Sequence, residues 1–106
     1  MATWSLNFNI ENFTKGMAVR VQLANTANPD GVEFRFEDSE PAQTLDNGGF
    51  WIPDEKLTDY GYSVGLRLQM NSSKECSADY TVKVYSSRDM GTAALASTGQ
   101  TIRFML

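Results

Sequence analysis

The stretch WIPDEKLTDYGY gathers three aromatic and three acidic side chains within twelve residues: Trp51, Asp54, Glu55, Asp59, Tyr60 and Tyr62. That mixture suits sugar recognition. The apolar face of a ring stacks on pyranose C–H groups, while carboxylates accept protons from hydroxyls. The same residue types anchor protein–protein contacts, where tyrosine and tryptophan carry much of the binding energy. The competing reading is structural, with Trp51 and Ile52 plugging one end of a core.

Covalent chemistry is poorly served. The chain has no histidine, which removes Ser-His-Asp and Cys-His triads and histidine-ligated zinc or iron. Cys76 is the only cysteine, so one chain can form neither an internal disulfide nor a cysteine-rich metal centre. GxGxxG and GxxxxGK(S/T) phosphate-binding loops are both absent. Adjacent acids such as Glu37 and Asp38, or Asp54 and Glu55, point to opposite sides if they lie on a strand, which works against a glycosidase-type pair. The expectation is a non-enzymatic binding module without a cofactor.

Charge narrows the partners. The net charge is −4, but Asp30 to Asp59 holds nine acids against only Arg35 and Lys56. The bases are spaced singly rather than clustered as phosphate contacts require, so nucleic acid is set aside. Loop acids also suit calcium, although their spacing does not match the D-x-(D/N)-x-(D/N)-G loop. A solvated acidic surface is the alternative.

The elements that must position these residues follow from alternation. Trp4, Leu6, Phe8 and Ile10 alternate with polar residues, as do Val19, Val21 and Leu23. So do Val32, Phe34 and Phe36; Val64 through Met70; Tyr80, Val82 and Val84; and Ile102, Phe104 and Leu106. Period-two patterning predicts strands with one buried and one wet face. It assigns Trp4, Phe8, Phe34, Phe36 and Phe104 to the core. Turn-rich segments separate the runs: ENFTKG, ANTANPDG, DSEPAQTLDNGG, MNSSKECSAD and SSRDMG. The prediction is all-β: a small antiparallel β-sandwich, immunoglobulin-like or jelly-roll-like, of about seven strands in a single domain over 1–106. Pro53 followed by acids suits one helical turn, while MGTAALASTG reads as helix, strand or loop. No apolar run reaches the roughly 18–20 residues of a membrane span. The opening MATWSLNFNIENF lacks the pattern of a secretory leader, so the expectation is a soluble protein, cytoplasmic or released without a classical leader.

Two families share short segments with this chain. Leu57-Thr58-Asp59 and Tyr62-Ser63, with Pro53 upstream and GQTIRF near the end, resemble the fungal immunomodulatory proteins, immunoglobulin-like dimers with lectin-like behaviour. Here GQTI follows Ala78–Val82 instead of preceding it. An early Trp4 strand and the connector Ile52-Pro53-Asp54-Glu55-Lys56-Leu57 are similar to aegerolysins, β-sandwiches that bind membrane lipids. Their later tryptophan-rich segment has no counterpart after Trp51. Both resemblances imply a sandwich fold and carry over no functional residue.

The functional expectation is lectin-like recognition of a glycan through Trp51, Asp54, Glu55, Asp59, Tyr60 and Tyr62. The alternatives are a structural or self-assembling sandwich that meets a protein surface or its own copy through a sheet face or edge, and a lipid-binding, toxin-like sandwich. TIRFML, with no charge after Arg103, either completes a sheet of its own chain or pairs across a dimer.

Overall fold

The computed structural model describes residues 2–105. Among them are eight strands: β1 (Ala2–Glu11), β2 (Ala18–Leu23), β3 (Glu33–Arg35), β4 (Gly49–Trp51), β5 (Thr58–Asp59), β6 (Ser63–Ser72), β7 (Cys76–Tyr85) and β8 (Ala96–Phe104). All pairings are antiparallel, and they build two sheets. In the first, β6 pairs with β1 along its whole length on one side. Its other side pairs with β5 at Val64–Gly65 and with β3 at Gln69–Asn71. The second sheet has the order β4-β2-β7-β8. The all-β sandwich expected from alternation is therefore present, with short β4 and β5 added to it.

The inward parity of each strand makes one core. Val64, Leu66, Leu68 and Met70 of β6 are buried, as are Val19, Val21 and Leu23 of β2 and Tyr80, Val82 and Val84 of β7. Phe34 centres an aromatic cluster, 5.2 Å from Phe50 and 6.4 Å from Tyr80. Fully burying a side chain of this size contributes about 1.5–3 kcal/mol. Phe34 thereby secures β3, a strand of only three residues.

Local signals explain the connections. Asp46 and Gly49 exchange backbone hydrogen bonds of 2.8 and 3.1 Å across Asn47-Gly48. Both central residues have positive φ, 52° and 75°, the conformation that makes Asn-Gly the favoured tight hairpin. Pro53 precedes a 3-10 turn at Asp54–Lys56, the single turn that its position predicts. Ala96–Gly99 of the ambiguous alanine-rich segment is strand, because β7 supplies a ladder for it from Val84 onward.

Three expectations need correction. MNSSKECSAD is mostly strand: pairing with β1 carries β6 to Ser72, and pairing with β8 starts β7 at Cys76. Only residues 73–75 remain to carry the chain from one sheet to the other. The run from Val32 to Phe36 keeps strand pairing only at Glu33–Arg35, since the chain turns away just beyond it, with Glu40 N–H donating to the Glu37 carbonyl at 3.1 Å. Trp4 is not in the core. It is 45% exposed, although it shares parity with Leu6, Phe8 and Ile10, which pack on the core. β1 is an edge strand, so its inward side chains have strand neighbours on one side only. The C-terminal run does complete a sheet of its own chain, with Ile102 and Phe104 buried; Leu106 lies outside the described residues.

Among the described residues, one buried side-chain polar atom lacks a hydrogen-bond partner, the Tyr80 hydroxyl. It sits in the core with the Phe8 and Phe34 rings edge-on. Burial pushes its phenol up to about 12. The unfolded phenol titrates near 10, so Tyr80's contribution to stability is intact below about pH 10 and is lost as pH rises from about 10 to about 12. Tyr80→Phe removes an unpaired group and is expected to raise stability by about 1 kcal/mol near neutral pH. It should also flatten the alkaline decline, as urea unfolding at neutral and alkaline pH will show.

Candidate functional site

The outward positions of the first sheet form a polar face. Strand register sets Asn9 and Thr58 on either side of Gly65, Asn7 opposite Arg67, and Ser5 opposite Gln69. Rows along a strand are about 7 Å apart, and opposed residues about 5 Å. Gly65 is the exception in this face, having no side chain. The Tyr60 ring takes that space: a Cβ at Gly65 would lie 2.6 Å from Tyr60 Cε2. The ring therefore rests against the β6 backbone, yet Tyr60 stays 66% exposed.

The Tyr60 platform is built by the β5–β6 hairpin. Tyr60 N–H donates to the Ser63 carbonyl at 2.9 Å, with Gly61 at φ 92° in the turn. The Asp59 carboxylate accepts the Gly61 N–H at 2.8 Å, so Asp59 shapes the turn. Tyr62, 93% exposed, stands at the tip, and its carbonyl accepts the Asn12 N–H at 3.1 Å, tying the tip to the end of β1.

Two depressions open on this face. One, of about 600 Å³, runs between Asn7, Asn9, Tyr60 and Arg67. The other, of about 490 Å³, lies among Ser5, Glu37, Asp38, Glu55, Lys56 and Gln69. They share Thr58 and Arg67, which makes one trough crossing β1, β6 and β5. Gln69 donates to the Asp38 carboxylate at 2.6 Å. Lys56 donates to Glu40 and lies 5.5 Å from the Phe36 ring centre. The Glu40 hydrogen bond holds the Lys56 ammonium above the usual lysine range.

The six candidate residues separate on this geometry. Tyr60 and Glu55 border the trough, and Asp59 and Tyr62 form the adjoining tip. Asp54 lies on the 3-10 turn with its carboxylate 3.7 Å from Arg88. Trp51 belongs elsewhere. It lies on the outer face of the second sheet, beside Arg20 of β2, while Tyr60 lies on the outer face of the first. Its ring meets Tyr85 at 5.3 Å, and the Arg20 guanidinium lies 5.4 Å from its centre. Arg20 also donates to the Asp46 carbonyl at 2.5 Å and to Gln22 at 3.0 Å. Although Arg20 points away from the core, it is only 1% exposed, because Trp51 and the Asp46–Gly49 hairpin cover it.

Sequence reasoning missed Asn7, Asn9, Thr58, Arg67 and Gln69, which it placed on wet strand faces or in a connector. A usable signal was present: amides repeated two apart share one face, and a glycine inside a strand marks a close approach. Among the described residues, no group of three His, Cys, Asp or Glu could hold a metal ion.

No protein-family model matches this chain, and comparison with curated proteins and with solved structures finds no match either. The segment resemblances to fungal immunomodulatory proteins and aegerolysins therefore add nothing to this site.

Trp51→Ala is expected to lower stability by about 2 kcal/mol, since it removes a large half-buried ring and uncovers a buried cation. For a domain of this size that is a fall of roughly 10 °C in melting temperature, readable by calorimetry, with the Tyr60 trough unaffected.

Proposed function

We propose that the protein is a non-enzymatic, lectin-like module that binds neutral glycans in the trough on the outer face of the first sheet. The observation that carries this reading is the Tyr60 ring resting in the space left by Gly65, above a row of amide and guanidinium side chains. A pyranose stacks its C–H face on Tyr60. Asn7 and Asn9 each offer a donor and an acceptor to sugar hydroxyls, and Arg67 donates to ring and hydroxyl oxygens. Glu55 and Glu37 accept hydroxyl protons along the second part of the trough.

The volumes lie within the range of small-ligand clefts. Three acids, Glu37, Asp38 and Glu55, face two bases, Lys56 and Arg67, in the second depression. That balance disfavours sialylated or uronic sugars by like-charge repulsion. Trp51 takes no part in recognition, because its ring is occupied by Arg20 and Tyr85.

An array of neutral and acidic oligosaccharides tests the proposal. Binding to neutral members is expected, with Tyr60→Ala and Asn7→Ala each weakening the strongest neutral hit by about tenfold or more, a loss of about 1.4 kcal/mol. Gly65→Ala should act likewise by displacing the Tyr60 ring. Melting temperatures of the Tyr60 and Asn7 variants should stay within a few degrees of the parent. Absence of binding across the array, or unchanged binding by Tyr60→Ala, overturns the reading.

A further inference from the structure

The two lateral sides of the sandwich differ sharply. On one side the edge strands are β3, β5 and β4, of three, two and three residues. Short edge strands are a common device against edge-to-edge pairing. Loop backbone also covers part of this side, with Gln43 N–H donating to the Phe34 carbonyl at 2.8 Å. On the other side lie β1 and β8, of ten and nine residues. Neither contains proline, and each carries a single charge near one end, Glu11 and Arg103. Among the described residues, no strand pairs with the outer edge of either.

This side is also open between the sheets. Phe8 and Ile10 of β1 share a cleft of about 260 Å³ with Val82, Val84, Ala96 and Thr98. Trp4 is exposed although it has inward parity, and so are Thr98 and Gln100, which share the parity of buried Ile102 and Phe104. Inward-facing positions are thus left uncovered along both edges.

We propose that this side is the interface of a homodimer, in which a two-fold axis perpendicular to the sheets brings β1 against β1 and β8 against β8 of a second copy. The levels of the two edges permit it. Ala2 is opposite Ser72 and Phe104 is opposite Cys76, on either side of the three-residue crossing between sheets. Four residues along each strand, Leu6 and Gln100 stand at one level, so a single axis passes both. Antiparallel pairing about Leu6 then sets Trp4 opposite Phe8 of the second copy, twice, on the inward face. Cross-strand aromatic pairs are among the favourable sheet contacts. Pairing about Gln100 sets Arg103 opposite Ser97 and Thr98 opposite Ile102. No two like charges face each other in either ladder.

The area suffices. Strands about 30 Å long, on a molecule 21 Å across its shortest axis, cover roughly 600 Å² per chain. Twice that, about 1,200 Å², is the lower bound of stable specific interfaces. With this axis both outer troughs face the same way, which favours multivalent glycan surfaces. That consequence rests on the glycan reading; the dimer itself does not.

Sedimentation velocity from micromolar to near-millimolar concentration tests the dimer. The expected result is a mass rising from 11.8 kDa to twice that value, with amides of β1 and β8 exchanging more slowly as concentration increases. Trp4→Lys combined with Thr98→Lys should hold the protein monomeric while leaving circular dichroism unchanged. A monomer at all concentrations, or amide exchange in β1 and β8 independent of concentration, overturns the proposal. Because hydrogen exchange is read on the parent protein, the test survives even a variant that fails to fold. Glycan affinity of isolated monomers is measured separately, so failure of one reading leaves the other standing.

Discussion

The structure depends on the contact between the two sheets at Phe34. This ring links the three-residue β3 to Phe50 of β4 and Tyr80 of β7, and Phe36 adds its own contact with Phe50 at 6.1 Å. Without these rings the short strands would have little to hold them, since a few ladder hydrogen bonds contribute little net stability. The aromatic cluster therefore closes one lateral side of the sandwich. Among the described residues it has no equivalent on the other side, where Phe8 reaches Tyr80 at 6.1 Å but Trp4 stays 45% exposed.

That asymmetry organises the rest. On the closed side the chain invests in loops: residues 36–48 fold back over the sheets, and the Asp46–Gly49 hairpin is pinned by Arg20 and Gln22. Trp51 completes this assembly by covering the Arg20 guanidinium, a use that keeps a buried cation among carbonyl oxygens and an aromatic face. On the open side, among the described residues, there are no such loops, and two long ladders end without a strand partner. The outer face of the first sheet is a third environment, where β6 is flanked on both sides and its outward residues form a continuous polar floor.

The fold was legible in the sequence wherever a strand had one wet face. The run of β2, most of β6 and the Thr101–Phe104 part of β8 are read directly from alternation, and the Asn47-Gly48 hairpin from its turn chemistry. Strand ends were not legible, because Ser72 and Cys76 are in strand only through β1 and β8, which are distant in sequence. The candidate site was partly legible. Composition marks Tyr60 and Glu55, but it cannot separate them from Trp51, nine residues before Tyr60 and on the opposite face of the molecule. Asn7, Asn9 and Arg67 are ordinary wet-face residues until register brings them beside Tyr60.

The sequence by itself determined that this chain is all-β, that it has no histidine and a single cysteine, and that its turns fall near Asn, Asp and Gly. Those properties are local: they depend on side-chain period, residue type and backbone conformational preference. Only the tertiary structure decided that WIPDEKLTDYGY is divided between the two sheets, that Gly65 makes room for Tyr60, and that Trp4 remains exposed. The physical reason is that register and edge position are set by pairing between distant strands, and no window of sequence contains both partners.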